Sequence, residues 1–403
     1  MGEIINIQQS GGLGISAKSN DAVSGIIMHA PYVSGVTLYQ LNSVYKLNSL
    51  VDIEALGLTE LLDQNLEMGV YQALKEFFEV NPKGTLYFQP VLNTTPAVDL
   101  LNVENPNSAI KLVNFAQGKV SQLAVAFNPS DESSITDAVI QDVVAQAQVF
   151  ALYCKEQNRP LHVVVEGFGI DGETDMREFS AKHVSCMIGQ NSGFYERGAW
   201  AEKHTSIGRA LGVISLAKVN ESIGWVGKFN LQFGNFQKCR INGVLFEDLT
   251  PSFLDLLATN GYLHFITYSD FTGLYMNASY TCTVATDDFS TIEKNRTWNK
   301  AARLVRIAQL PSVNSTVFID TTTGFISATN VAVLEAIGNK ALQPMFQAGE
   351  ISGPDPLGPT PPVQIDPNQD VLSTSNLQTQ ITIVPTGVAE TITNYIGFSN
   401  PNN

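Results

Sequence analysis

The sequence predicts an α/β (in part α+β) fold: a mixed sheet core with flanking helices, and extended N- and C-terminal arms. Three observations lead there. Apolar stripes at helical spacing alternate with short, almost wholly apolar segments. The strand–helix–strand lengths suit right-handed crossovers in a partly parallel sheet. Both ends of the chain are strand-forming, yet lie outside that alternation.

The first twenty residues read as an extended arm, with Gly11, Gly12 and Gly14 in a polar setting and a short alternation at Ile5-Asn6-Ile7-Gln8. From Ser24 to Asp270 the α/β pattern runs. Leu62, Leu66, Val70, Leu74 and Phe77 predict one helix over 59–78, stopped by Asn81-Pro82-Lys83-Gly84, and 85–92 follows as a buried strand. A strand is expected at 121–127. The helix over 134–156 is expected to start at a capping box of Ser134 and Asp137 and to bury Ile135, Val139, Val143, Ala147 and Phe150. Leu161–Val165 is apolar enough for a strand covered on both faces. Weaker signals predict strands at 183–188, 262–268, 279–285 and 317–320, and helices at 206–219, 253–258, 289–307 and 329–346. Gly353-Pro354-Asp355-Pro356-Leu357-Gly358-Pro359 and Pro361-Pro362 cannot continue a helix or a central strand. Beyond them Leu377, Thr379, Ile381 and Ile383 alternate with Gln378, Gln380 and Thr382, and 388–398 supplies one more extended segment.

Composition narrows the function. Charged residues are 15% of the chain against a usual figure of about 25%, so the surface rests on neutral polar side chains, which suits a subunit packed against its own copies. An ordinary acidic soluble protein would show the same figures. A net charge of −15 without any basic run argues against nucleic-acid binding. Cys154, Cys186, Cys239 and Cys282 form no CxxC pair, and their apolar neighbours predict buried free thiols in a reducing compartment. The N-terminus has no signal-peptide pattern, and Asn6 stands where myristoylation needs Ser or Thr. No apolar run approaches the roughly 18 residues of a membrane span. A soluble cytoplasmic product is expected, in which the sequons at Asn93, Asn220, Asn277, Asn295 and Asn314 have no meaning.

Catalytic templates fail on specific residues. Gly193 and Gly198 are spaced as in a P-loop, but Ala199 and Trp200 replace the Lys and Ser/Thr that reach phosphate and magnesium. Asp171, Glu173 and Asp175 begin like a calcium loop, but Met176 and Lys182 occupy the positions of its Gly and bidentate Glu. There is no nucleophile elbow and no HExxH motif. His29, His162, His183, His204 and His264 are scattered, and only His204 has a candidate partner nearby, Ser206. Gly11-Gly12-Leu13-Gly14 precedes no βα unit. No enzyme activity, cofactor or metal is expected.

The C-terminal quarter is more specific. In order come Arg296 with Asn299-Lys300-Ala301-Ala302-Arg303-Leu304-Val305, then Phe318-Ile319-Asp320 to Gly324-Phe325-Ile326. A helix through Leu334, Ile337, Leu342 and Met345 follows, ending Gln347-Ala348-Gly349-Glu350-Ile351-Ser352-Gly353. Last come Asp366-Pro367-Asn368-Gln369-Asp370-Val371-Leu372, then 378–385 and 389–398. This ordered set resembles the conserved region of contractile tail sheath proteins of myophages and related injection apparatuses. Leu74–Tyr87 and Leu211–Trp225 also resemble stretches of that family.

The resemblance implies a division into an N-terminal arm (1–23), an α/β N-terminal sheath region (24–200), a conserved sheath core (201–353), a Pro-rich linker (354–362) and a C-terminal core strand and arm (363–403). It implies a helical homo-oligomer of stacked rings around an inner tail tube protein, with baseplate and tail terminator proteins as further partners. No nucleic acid and no direct membrane insertion are implied. The place would be a virion tail, serving genome ejection, or a cytoplasmic injection apparatus. In such families the arms add strands to neighbouring subunits' sheets, backbone hydrogen bonds making the link and alternating side chains fixing register. Here those strands would carry Ile5 and Ile7 at one end and Leu377, Ile381, Ile383, Ile392, Ile396 and Phe398 at the other. The competing reading pairs both termini within their own subunit. By analogy, the helices at 289–307 and 329–346 are candidates for facing the tube. The rival functions are an α/β enzyme with an unrecognised site and another tail or baseplate structural protein.

Overall fold

The computed structural model describes residues 20–390, 392 and 393. Its body is a seven-stranded mixed sheet in the spatial order Tyr262–Leu263, Val184–Met187, His162–Glu166, Gln122–Ala126, Val23–Ala30, Thr85–Leu92, Tyr45–Leu47. The first six run parallel, and Tyr45–Leu47 pairs antiparallel at the edge. Helices on both faces explain why the inner strands are buried at nearly every position. One face buries Ile26, Met28, Phe88, Ala124 and Val164 with the helices Val70–Val80 and Ile207–Leu216. The other buries Ile27, Val125, Val163 and Val165 with Ala109–Phe115 and Asp137–Glu156.

Those two helices on the first face approach closely because of Gly208. A Cβ there would lie 1.8 Å from the carbonyl oxygen of Ala73. Gly212 repeats the relation one turn on, where a Cβ would lie 2.8 Å from that of Val80.

Several expected elements differ. The single helix over 59–78 is two, Glu60–Leu66 and Val70–Val80. Glu67 turns left-handed at φ 54°, and the Asp63 carboxylate points inward to accept from the backbone N–H groups of Tyr71 (3.0 Å) and Gln72 (2.9 Å), which start the second helix. The long helix begins at Asp137, not Ser134. Thr136 caps it by accepting from Val139, while Asp131 accepts from Ser133 to start a separate 3-10 turn. The strand over 262–268 is split at His264, where Asn277 accepts from the His264 N–H and donates to the Tyr262 carbonyl. Tyr262–Leu263 stays in the main sheet, and Phe265–Tyr268 forms a hairpin with Phe271–Met276. Residues 279–285 form isolated bridges, Ala181 to Cys282 and Tyr280 to Thr291, instead of a strand. Residues 317–320 contribute only the bridge of Ile319 to Ile326.

A C-terminal module follows, built on the helices Ile292–Gln309 and Ala328–Gln347. Its apolar clusters are small: Ala301, Val305, Leu342, Met345, Ile351 and Val363 in one, and Ile326, Val331, Leu334 and Ile365 in the other. Residues 354–362 form neither helix nor strand. Two short antiparallel pairs close the module, Ile351–Gly353 with Val384–Pro385 and Val363–Gln364 with Gln380–Ile381.

Candidate assembly surface

The residues that could have carried chemistry are absorbed by the fold. All five histidines are buried. His29 bonds the Thr95 carbonyl (2.9 Å), His162 the Ser185 hydroxyl (3.0 Å), His183 the Asn295 side chain (2.5 Å) and His264 the Phe265 carbonyl (3.0 Å). Burial lowers His29 and His264 to about 4 and His162 to about 3, so these imidazoles are neutral at neutral pH. His204 and Ser206 do not pair. His204 sits 3.5 Å from Glu166 and edge-on to Phe168, whereas Ser206 donates to Glu76.

Asp171 and Asp175 accept from backbone N–H groups two residues on, as turn formers, and Trp200 packs edge-on against Phe194. Desolvation pushes the thiols of Cys154, Cys239 and Cys282 up to about 12 and raises Cys186 as well, which leaves them unreactive. Among the described residues, no group of three or more His, Cys, Asp or Glu could hold a metal ion, and no helix is long and apolar enough to cross a membrane.

The exposed apolar surface of the module is more informative. A groove of 720 Å³ runs between the loop after Ile292–Gln309, the helix Ala328–Gln347 and residues 371–379. A second opening of 480 Å³ shares Gln309, Val313 and Thr379 with it and extends to Trp298 and Ile381. Val313, Val333 and Leu372 line the larger opening and stand more than half exposed.

One strand edge faces these two openings. Asn339, buried on its helix, donates to the Val363 carbonyl (3.0 Å) and accepts from the Val363 N–H (2.9 Å), occupying the inner edge of Val363–Gln364 as a strand would. On the other side Gln364 pairs with Gln380, and Thr382 donates to the Pro362 carbonyl (2.8 Å). Successive residues of an antiparallel strand face opposite edges, so Thr379 and Ile381 turn their backbone groups outward. Thr379 lines both openings, and Ile381 lines the smaller one beside Val313.

Of the residues singled out from the sequence, Leu377, Ile381 and Ile383 therefore lie in a segment that already pairs and packs within its own subunit, with Leu377 and Ile383 half-buried against the two small clusters. Ile392 is 78% exposed. Ile5, Ile7, Ile396 and Phe398 lie outside the described residues. Of the two helices considered for the tube, Ile292–Gln309 buries most of its first three turns, while Ala328–Gln347 exposes Thr329, Val333, Ala336 and Lys340 along one side. Asn339 had no signal in the sequence beyond being a polar residue among the helix's apolar positions.

This architecture defines a class: it is the fold of contractile-sheath subunits. The structure is similar to the helical sheath of the anti-feeding prophage in its contracted state, with a TM-score of 0.64 at 16% identity over 99% of both chains. It is similar to the contracted PVC sheath of an extracellular contractile injection system, with a TM-score of 0.59 at 13% identity over 100% of this chain and 99% of that one. A sheath tail protein from Desulfitobacterium hafniense matches with a TM-score of 0.51 at 11% identity, covering 96% and 100%. No curated protein matches in sequence. The sequence does match the DUF2586 family, its N-terminal domain over residues 1–279 and its C-terminal domain over residues 288–403, and the chain belongs to that family.

Proposed function

We propose that this chain is the structural subunit of a contractile sheath, polymerising helically around an inner tube and contracting to drive that tube through a target cell envelope. The observation that carries this is the agreement of fold over nearly the whole length of three sheath proteins. The baseplate of the anti-feeding prophage also contains a chain of this fold (TM-score 0.62), which supports a contact with baseplate proteins at the end of the stack. The work of contraction comes from a metastable extended lattice and needs no nucleotide hydrolysis by this chain.

Subunits are linked by β-augmentation. The outward edge at Thr379 and Ile381 is the acceptor, and the arm around Ile5–Gln8 of a second copy is the strand that fits it, its two isoleucines meeting the apolar wall of Val313 and Val333. At the other end, 391–398 reaches a further copy. An exposed strand edge beside an apolar groove is a liability in a monomer and an asset in a polymer, which supports this reading. Electron microscopy of the purified full chain tests the function: long hollow tubes are expected, and discrete small particles would refute it.

A further inference from the structure

Lys300 sits where three parts of the chain meet. Its ammonium contacts the Asp21 carboxylate at 3.0 Å and the Glu350 carboxylate at 2.7 Å, and all three side chains are less than a fifth exposed. Asp21 lies at the root of the N-terminal arm, just before the strand Val23–Ala30. Glu350 immediately precedes Ile351–Gly353, the first strand of the C-terminal module. Arg296 and Arg303 flank Lys300 on the same helix face, at spacings of four and three residues. Arg303 pairs with the other Asp21 oxygen and reaches the Ser121 hydroxyl. Arg296 donates to the carbonyls of Asp21, Ala217 and Lys218, each at 3.1 Å, closing the end of Ile207–Leu216.

We infer that Lys300 is a positioning residue that locks the exit of the N-terminal arm to the base of the C-terminal module, with Arg296 and Arg303 anchoring that joint to the sheet. The two ends are separated by more than three hundred residues in sequence, yet share one ammonium. A partly buried cation held by two carboxylates fixes both in direction, because releasing either leaves an uncompensated charge. The inference deepens the sheath reading and rests on it for its purpose: arms leaving a subunit at fixed angles give every copy the same lattice vectors.

The joint is read first in the monomer, independently of assembly. The four native cysteines are buried, so spin labels go selectively to Ala22→Cys and Leu357→Cys, Ala22 being partly exposed and Leu357 72% exposed. Electron–electron double resonance should give one narrow distance in the parent. Lys300→Met keeps the aliphatic stem and should lose that single distance to a broad distribution, and Lys300→Arg should restore it. If Lys300→Met lacks a cooperative unfolding transition, Glu350→Gln is read in its place, with broadening again expected. A distribution as narrow as the parent's in a folded Lys300→Met, or in Glu350→Gln, overturns the inference. Tubes are read second. Parent tubes with uniform rise and rotation, made irregular by Lys300→Met, agree with the joint, and no tubes from the parent would reject the sheath reading while the resonance result stands.

Discussion

In the body, Val23–Ala30 is registered against Thr85–Leu92 through eight residue pairs and against Gln122–Ala126 through five. In the C-terminal module, each strand pair spans only two. The body fills both faces of its sheet with extensive apolar clusters, whereas the module holds together on two clusters of six and four buried residues. The difference teaches where each property resides. Long registered strands and a double core give one rigid arrangement, and short pairs with an open edge leave backbone groups for another chain to use.

The contrast is broken most forcefully at Gly208. In Gly208→Ala the new methyl meets the Ala73 carbonyl, and the two helices must separate. A loss of about 3 kcal/mol is expected in urea unfolding, the upper part of the overpacking range. Lys340→Ala, on the exposed side of the module's helix, should change little.

The histidine part of the acid response belongs to the body, since all five histidines precede residue 277. His162 has a folded pKa of about 3 against 6.5 unfolded, so the unfolded chain takes up the proton first. Its contribution is full above pH 6.5 and is lost as pH falls toward 3. Between pH 7 and 5 that amounts to about 2 kcal/mol. The buried carboxyls of Asp63, Glu76 and Glu293, raised by desolvation, oppose this trend. The clean measurement is therefore a difference: His162→Gln should lose about 2 kcal/mol less than the parent between those pH values in urea titrations.

In the module, Asn339→Leu leaves the Val363 N–H and carbonyl without their side-chain partner. A local loss of about 2 kcal/mol is expected, seen as faster hydrogen exchange at Val363 and Thr382, the latter donating to the Pro362 carbonyl, with unchanged protection in Val23–Ala30. Smallest in stability is Ile381→Lys, about 0.5 kcal/mol or less for a residue 38% exposed. Yet it should abolish tube formation, because a charge then stands on the acceptor edge.

The same contrast governs what could be read from the sequence. Strands buried on both faces, such as Leu161–Val165, and helices with a regular stripe, such as the one over 329–346, are local signals, and both stand within a residue or two of expectation. The break at Glu67 was hidden because Asp63 looks like a polar helix residue, and only its bonds to Tyr71 and Gln72 turn it inward. The split at His264 depends on Asn277, thirteen residues away. Nothing local in the sequence joins Lys300 and Arg303 to Asp21 and Glu350, since these partners are distant in the chain. The open edge could not be read at all, because it requires knowing that Asn339 closes the opposite one.

The division of labour is tested most directly by shortening the chain to residues 20–385, which removes both ends while keeping every strand pair found among the described residues. Urea unfolding and electron microscopy of this chain and the full one should give the same unfolding midpoint for both, with tubes from the full chain only. Tubes from the shortened chain, or a collapsed midpoint, would contradict it.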